Sequence, residues 1–209
     1  MSCFLKKVLY PVGKCNIKYG QYIKWSFISN IISSIEDSIS THCMLSTLGT
    51  VNNELVVSYN YIGKNLIGQI GGLYYISKIG TNIDTNPKKY LYTSVILNQI
   101  GVYIECLLPL FNNNMFIIFA GGANIIKNIS WVGYGAVNTR IIQNLAIDNN
   151  ISEIYSKISI INTAASSIGM IFGLTFIYYI PCHETRLTIL PFLTLLRLYT
   201  IRKATDGLL

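Results

Sequence analysis

Acidic side chains are scarce in this chain: nine Asp and Glu in 209 residues, against sixteen Lys and Arg, for a net charge of +7. All charged residues together make 12%, about half the roughly 25% of ordinary globular domains. Mean hydropathy is +0.44. A chain so poor in charge suits a bilayer better than bulk water. No basic run exceeds two residues, so the clustered patch of a nucleic-acid-binding protein is missing and no nucleic-acid partner is expected. The positive charge suits anionic lipid head groups, so membrane lipids are the expected partners.

Metal and catalytic signatures are absent as well. Cys3, Cys15, Cys43, Cys106 and Cys182 are odd in number, and no two have C-x-x-C spacing. They read as reduced, mostly buried thiols, not as a disulfide framework or a zinc site. His42 and His183 are the only histidines. They lie far apart in the sequence and read as unrelated. G-x-S-x-G, H-E-x-x-H and the phosphate-binding glycine loops are missing. No catalytic residue, metal or cofactor is expected, and the chain is read as no enzyme. Met1–Leu9 is too short an apolar stretch for a signal peptide, carries Lys6 and Lys7, and has no Ala where cleavage would fall. Strand-like alternation is also missing, which argues all-α. Without a Pro/Gly/Ser-rich linker or a repeat, residues 1–209 read as one domain with a core over about 9–203.

What is present is a long uncharged run. Ile158 to Cys182, about 25 residues, would make a helix of roughly 37 Å, enough to cross a hydrocarbon core of about 30 Å. Gly169 and Gly173 stand four apart in it, the spacing that lets two membrane helices approach closely. Upstream, Lys18 to Leu48 reads as an amphipathic helix with Ile28, Ile31, Ile32, Ile35 and Ile39 on one face and Ser29, Ser33, Ser34, Glu36 and Asp37 largely elsewhere. It is too polar to span alone, and lies at the interface or packs on the bundle. Val51-Asn52-Asn53 breaks it. Leu55–Ser77, Leu91–Phe111, Met115–Gly135 and Leu187–Tyr199 are further apolar segments; Asn112–Asn114 and Asp148–Asn150 mark turns. The expected fold is an all-α, multi-pass transmembrane bundle with an amphipathic N-terminal helix.

If those five segments cross, the Lys78/Lys88/Lys89 connection, the Arg140–Lys157 stretch and the Arg202/Lys203 tail share one face, which the positive-inside rule makes cytoplasmic, matrix or stromal. Asn112–Asn114 and Pro181–Arg186 take the other. The basic N-terminal arm is expected on that other face too.

Lys64, Glu105 and Lys127 fall inside three different apolar segments. A lone charge in hydrocarbon costs about 2.5–3.5 kcal/mol on insertion scales, so such groups face protein or water. A carboxylate stem is too short to snorkel well, so Glu105 needs an internal partner. Lys64 and Lys127 are the available cations, and Asn98 and Asn124 the neutral alternatives. These five residues are the candidate polar binding site. Gly68, Gly71 and Gly72, with Gly169 and Gly173, are the candidate helix-packing glycines; a broken helix lining a site is the alternative reading of Gly71-Gly72 and Gly121-Gly122.

In order, these pieces resemble one family. Tyr10-Pro11 is followed by Tyr22 and Trp25; Ser40-Thr41-His42-Cys43-Met44-Leu45 leads to Leu48-Gly49; then come Gly68-Gln69-Ile70-Gly71-Gly72-Leu73, Gly80-Thr81-Asn82-Ile83-Asp84 with Lys88, Asn98 with Gly101 and Glu105 ahead of Pro109-Leu110-Phe111, Asn149-Asn150, Ser156-Lys157, Gly169 through Gly173, and Leu198-Tyr199. The chain is similar, from about Leu9 to about Lys203, to the RUS family, the root UVB sensitive proteins of plants and their eukaryotic relatives. It departs at Lys64-Asn65-Leu66, where the family has Arg/Lys-Asp-Gly, and at Ile158-Ser159-Ile160-Ile161-Asn162, where it has Asp-Gly-Ser-Gln-Glu. The family's Gly-Gly-Ala-Thr-Arg stretch survives only as Tyr134-Gly135-Ala136-Val137-Asn138, with Arg140 displaced. The resemblance implies a multi-helix membrane protein with no assigned reaction, and in plants a link to early seedling development and UV-B responses. The expectation is a membrane protein that binds or moves a small molecule or lipid, with a paralogue or a second copy as a further partner. The alternatives are a lipid-acting enzyme using Glu105 as acid or base, and a scaffold without ligand.

Overall fold

The computed structural model of the chain describes residues 9–49, 54–79, 83–111 and 115–209. Expectations about Cys3, most of the N-terminal arm, the Val51-Asn52-Asn53 break, Gly80-Thr81-Asn82 and the Asn112–Asn114 loop lie outside the described residues. Six α-helices follow one another: α1 Tyr19–Leu48, α2 Glu54–Ile79, α3 Pro87–Leu107, α4 Phe116–Leu145, α5 Ile151–Tyr179 and α6 His183–Thr205. Among the described residues the one β-type pairing is an isolated bridge between Cys15 and Ala146. The fold is all-α.

Local chemistry sets several boundaries. Pro87 opens α3, where its missing N–H costs nothing. Pro109 lies in the single 3-10 turn Leu108–Leu110 that ends that helix. Asn149, at φ +56°, makes the left-handed turn from α4 into α5, a conformation Asn tolerates better than most residues. The α4 helix runs ten residues past Gly135, through the stretch read as mixed, because nothing before Asp148 breaks it.

Helix α1 is the centre of the molecule. It packs along α5 and α6 and touches α3 as well, while α4 pairs with α3 and carries α2 on its other side. Of the two places the sequence left open for α1, the structure takes the bundle. Its buried side is correspondingly mixed: Ile32 and Ile39 are covered, and so are Ser26, Ser29, Glu36 and Ser40.

Three apolar clusters stack along the bundle. Tyr19, Tyr22, Leu91, Ile141, Ile154 and Ile201 belong to the cluster at one end. Ile39, Cys43, Val102, Cys106 and Leu190 form a second. Met44, Leu48, Leu108, Phe116 and Ala120 form the third, where α1 ends. The first end is also where the termini meet. Asn16 N–H bonds the Leu145 carbonyl at 3.0 Å, and Val12 N–H bonds Glu153 Oε1 at 2.7 Å. Lys18 Nζ donates to the Asp206 carbonyl at 2.9 Å. This corrects the placement of the basic arm. Lys14 and Lys18 lie at the same end as the Arg140–Lys157 stretch and the tail, because α1 runs the whole length of the bundle instead of lying across one end.

Three helices are long and apolar enough to cross a membrane by length and composition: Pro87–Leu110, Phe116–Leu145 and Ile151–Tyr179. Among the described residues the α2 and α6 segments, also read as crossings, do not reach that mark; α6 holds buried Arg186 and Arg197 and an internal Pro191.

Glycines set the closest helix approaches. A Cβ on Gly169 would lie 2.6 Å from the Ile31 carbonyl oxygen, and one on Gly173 would lie 2.6 Å from Ser38 Cβ. On α2, Gly68 faces the Asn124 and Asn128 amides, Gly71 faces Ile125, and Gly72 faces Asn128. A helix presenting bare backbone can lie this near its neighbour.

Candidate functional site

Glu105 lies in the last turn of α3, 3% exposed. Lys127 of α4 reaches it, Nζ to Oε2 at 3.0 Å. The same ammonium is 3.3 Å from Asp37 Oδ1 on α1. One cation therefore serves two carboxylates from two other helices. Gly101 makes the reach possible: the Lys127 stem lies where a Cβ at 101 would be, with Ala123 O 3.1 Å from the same point.

The other expected members divide. Lys64 of α2 is buried, its ammonium 5.2 Å from the Tyr61 ring centroid and within electrostatic range of Glu105 and Lys127. Asn124 does not bond the carboxylate; its Nδ2 donates to the Lys64 carbonyl at 3.0 Å and to Asn65 Oδ1 at 3.2 Å. It clasps α2 to α4 over the bare Gly68 backbone. Asn98 is half-buried on α3, and it is its neighbour Gln99 that enters a polar network.

That network was not read from the sequence. Glu36 of α1 is fully buried. Its Oε2 accepts from Gln99 Nε2 at 2.6 Å and pairs with Arg197 NH1 of α6 at 3.3 Å. Thr194 Oγ1 donates to Gln99 Oε1 at 3.1 Å. Three helices are tied by side chains that hydrocarbon would reject singly. The signal was present, since Glu36 stands four after Ile32 and three before Ile39, on the isoleucine stripe itself.

The histidines are not unrelated. Arg186 NH1 lies 2.9 Å from His42 Nδ1, and Cys43 Sγ lies 3.9 Å from His183 Nδ1. The start of α6 packs on α1, which brings together residues distant in sequence. Arg186 also donates to the Ile177 and Ile180 carbonyls, satisfying the orphan end of α5. Among the described residues no three His, Cys, Asp or Glu are grouped so as to hold a metal ion. Cys43 and Cys106 are buried thiols, Cys15 is half-buried and Cys182 is exposed.

A cavity of about 750 Å³ opens between α1 and α5. Its α1 wall is mainly polar, from Ser34, Asp37, Ser38, Thr41, His42 and Ser46, with Leu45 among them. Its α5 wall is mainly apolar, from Met170, Leu174 and Ile177. Its size falls within the roughly 300–1,000 Å³ range of small-molecule sites. Asp37 belongs both to this wall and to the Lys127–Glu105 set, so the cavity is electrostatically joined to the buried charges.

A family model described as the vitamin B6 photo-protection and homoeostasis domain matches residues 4–208. The chain belongs to the RUS family. Among curated relatives it is 28% identical over 165 residues to RUS family member 1 of Dictyostelium discoideum, covering 78% of this chain and 31% of the relative. It is 26% identical over 156 residues to protein root UVB sensitive 4 of Arabidopsis thaliana, covering 73% of this chain and 30% of that one. Protein root UVB sensitive 2, chloroplastic, of Arabidopsis thaliana aligns over 99% of the chain and 48% of its own length at 26% identity. The RUS chain described here thus spans about a third to a half of the curated relatives it matches. No solved structure matches it.

Proposed function

We propose that this RUS chain is a multi-pass membrane protein that binds a small molecule in the cavity between α1 and α5, moves it, and carries out no chemistry on it. One observation carries the reading: a 750 Å³ cavity with one polar and one apolar wall, flanked by a helix apolar enough to cross a bilayer. Such a shape fits a small amphiphile, one side hydrogen-bonded and the other in contact with aliphatic groups. Membrane lipid is the partner of the exposed apolar faces of α2 and α5, where Leu66, Ile70, Leu73, Ile171 and Phe172 point outward.

The domain that defines the family is described by vitamin B6 photo-protection and homoeostasis. A B6 vitamer is a flat, substituted pyridine of a size the cavity admits, and it is the first ligand to test. The lipid-acting enzyme is the weaker reading, because Glu105 does not line the cavity and its carboxylate is held by Lys127. A scaffold without ligand leaves the cavity unused.

The test has two steps. Carbonate-washed membranes should retain the chain; release into the supernatant refutes membrane integration. Protein purified in nanodiscs should then bind pyridoxine in equilibrium dialysis, and Leu174→Trp, which fills the apolar wall, should abolish binding without loss of folded protein. Equal retention by the filled variant would place the ligand elsewhere and defeat the proposal.

A further inference from the structure

Part of the cavity wall is committed to accepting. Ser38 Oγ donates its hydrogen to the Ser34 carbonyl at 2.7 Å, and Ser46 Oγ donates to the Cys43 carbonyl at 2.7 Å. Those two hydroxyl protons are committed inside α1, so Ser38 and Ser46 offer a ligand lone pairs, while Ser34, Thr41 and Ser166 keep rotatable hydroxyls that accept as readily as they donate. Asp37 adds a carboxylate whose side chain is 48% exposed. It stands between Ser34, three residues before it, and Thr41, four after it, so these groups share one face of the helix. His42 offers a single donor at most, since the Arg186 guanidinium already faces its Nδ1 and fixes the proton on Nε2.

The charges behind the wall point the same way. Lys127 is shared between Asp37 and Glu105, and Glu105 takes the nearer distance, 3.0 against 3.3 Å. Lys64 also acts on Glu105. Asp37, which faces the cavity, thus shares its one cation with a buried carboxylate. Arg186 directs its guanidinium to the Ile177 and Ile180 carbonyls and to His42. Glu36, next to Asp37 on α1, is engaged by Arg197 and Gln99 away from the cavity.

We infer that the ligand of this cavity carries a primary ammonium on an apolar or aromatic body, and that Asp37 is its counter-ion. An ammonium brings three donors and no acceptor, the complement of a wall that offers a carboxylate and hydroxyl lone pairs. The body lies against Leu45, Met170, Leu174 and Ile177. A charge-assisted bond from N⁺–H to the exposed Asp37 carboxylate fixes the head. This inference rests on the cavity being a ligand site, but it does not require that the ligand be a B6 vitamer. A soluble aromatic amine and a long-chain lipid amine present the same chemistry.

The experiment compares amines with their alcohols on the full chain in nanodiscs. Pyridoxamine is paired with pyridoxine, and octadecylamine with octadecanol, each measured by ligand-induced shift of thermal unfolding and by equilibrium dialysis. In one pair or the other the amine should bind at least about tenfold tighter than the alcohol, as expected of a charge-assisted contact. Which pair responds distinguishes the vitamer from the lipid. Asp37→Asn should bring amine and alcohol to the same affinity while alcohol binding persists. Asp37→Asn protein that is unstable without ligand is replaced by Asp37→Glu, which keeps the charge and should keep the preference. Octadecylamine binding without pyridoxamine binding supports the ammonium and defeats the B6 reading. Alcohols binding as tightly as amines overturns the ammonium while leaving the cavity a site. No binding by any of the four overturns both.

Discussion

Gly101→Ala is the smallest change that should disable the buried pair. The added methyl would overlap the Lys127 stem at Cγ, with Cδ 3.2 Å and the Ala123 carbonyl oxygen 3.1 Å away. The backbone oxygen belongs to the facing helix and cannot yield, so the stem must. Overpacking of this kind costs about 1–3 kcal/mol. Swinging the stem also draws the ammonium from Glu105, and stripping a buried charge of its partner costs about 3–5 kcal/mol. Alanine returns about 0.5–1 kcal/mol of helix propensity. The balance is a loss of about 3 kcal/mol or more, which at about 2–4 °C per kcal/mol lowers the unfolding midpoint by about 6 °C or more. Gly122 on α4 is the control, since a Cβ there meets nothing within 4 Å. Gly122→Ala should be neutral or stabilise by up to about 1 kcal/mol. Thermal unfolding of both variants in one detergent reads the difference. In a Lys127→Ala background the cost of Gly101→Ala should fall, because the stem it strikes is gone. Equal midpoints for Gly101→Ala and Gly122→Ala would refute the claim that this glycine exists to admit Lys127.

Two further outcomes follow from the same geometry. Glu36→Met and Arg197→Met should each destabilise the bundle by about 3–5 kcal/mol, while the double substitution should lose clearly less, because neither charge is then orphaned; a double variant as unstable as the sum of the singles would count against a private pair. Single thiols introduced at Lys14, Lys88 and Arg202 in a cysteine-free background should label from one face of the membrane, and one at Leu110 from the opposite face; labelling of Lys14 together with Leu110 would return the N-terminal arm to the other side.

The sequence carried the helices further than it carried their neighbours. The α1 helix was legible almost to the residue, Lys18–Leu48 against Tyr19–Leu48, because a sustained isoleucine periodicity sits between a turn and a glycine. The α5 helix was read to start at Ile158 and starts at Ile151. Glu153 and Lys157 ended the apolar run without ending the backbone hydrogen bonding, and a reading by charge cannot see that. Helix α4 was cut short for a related reason: its last turns carry polar Thr139, Arg140, Gln143 and Asn144 on an exposed side without ending the helix. The pairing of Glu105 with Lys127 rested on cost alone, and cost names a need without naming its direction. Asp37 and Glu36 were placed on an outer face because a wheel sees one stripe, whereas α1 has neighbours on three sides. Arg186 was read in the connection before a short final helix, and Arg197 as a charge inside it. Their partners Glu36 and His42 lie on α1, and no local pattern joins segments so far apart.

That separation has a consequence for how the protein is made. Glu36 and Arg197 are 161 residues apart, and at about 5–20 residues per second the ribosome needs on the order of ten to thirty seconds to travel between them. Throughout that interval α1 carries two carboxylates and a row of serines with no guanidinium to receive them. Of the described helices α1 is made first, and its charge pairing is completed last, when α6 brings Arg197.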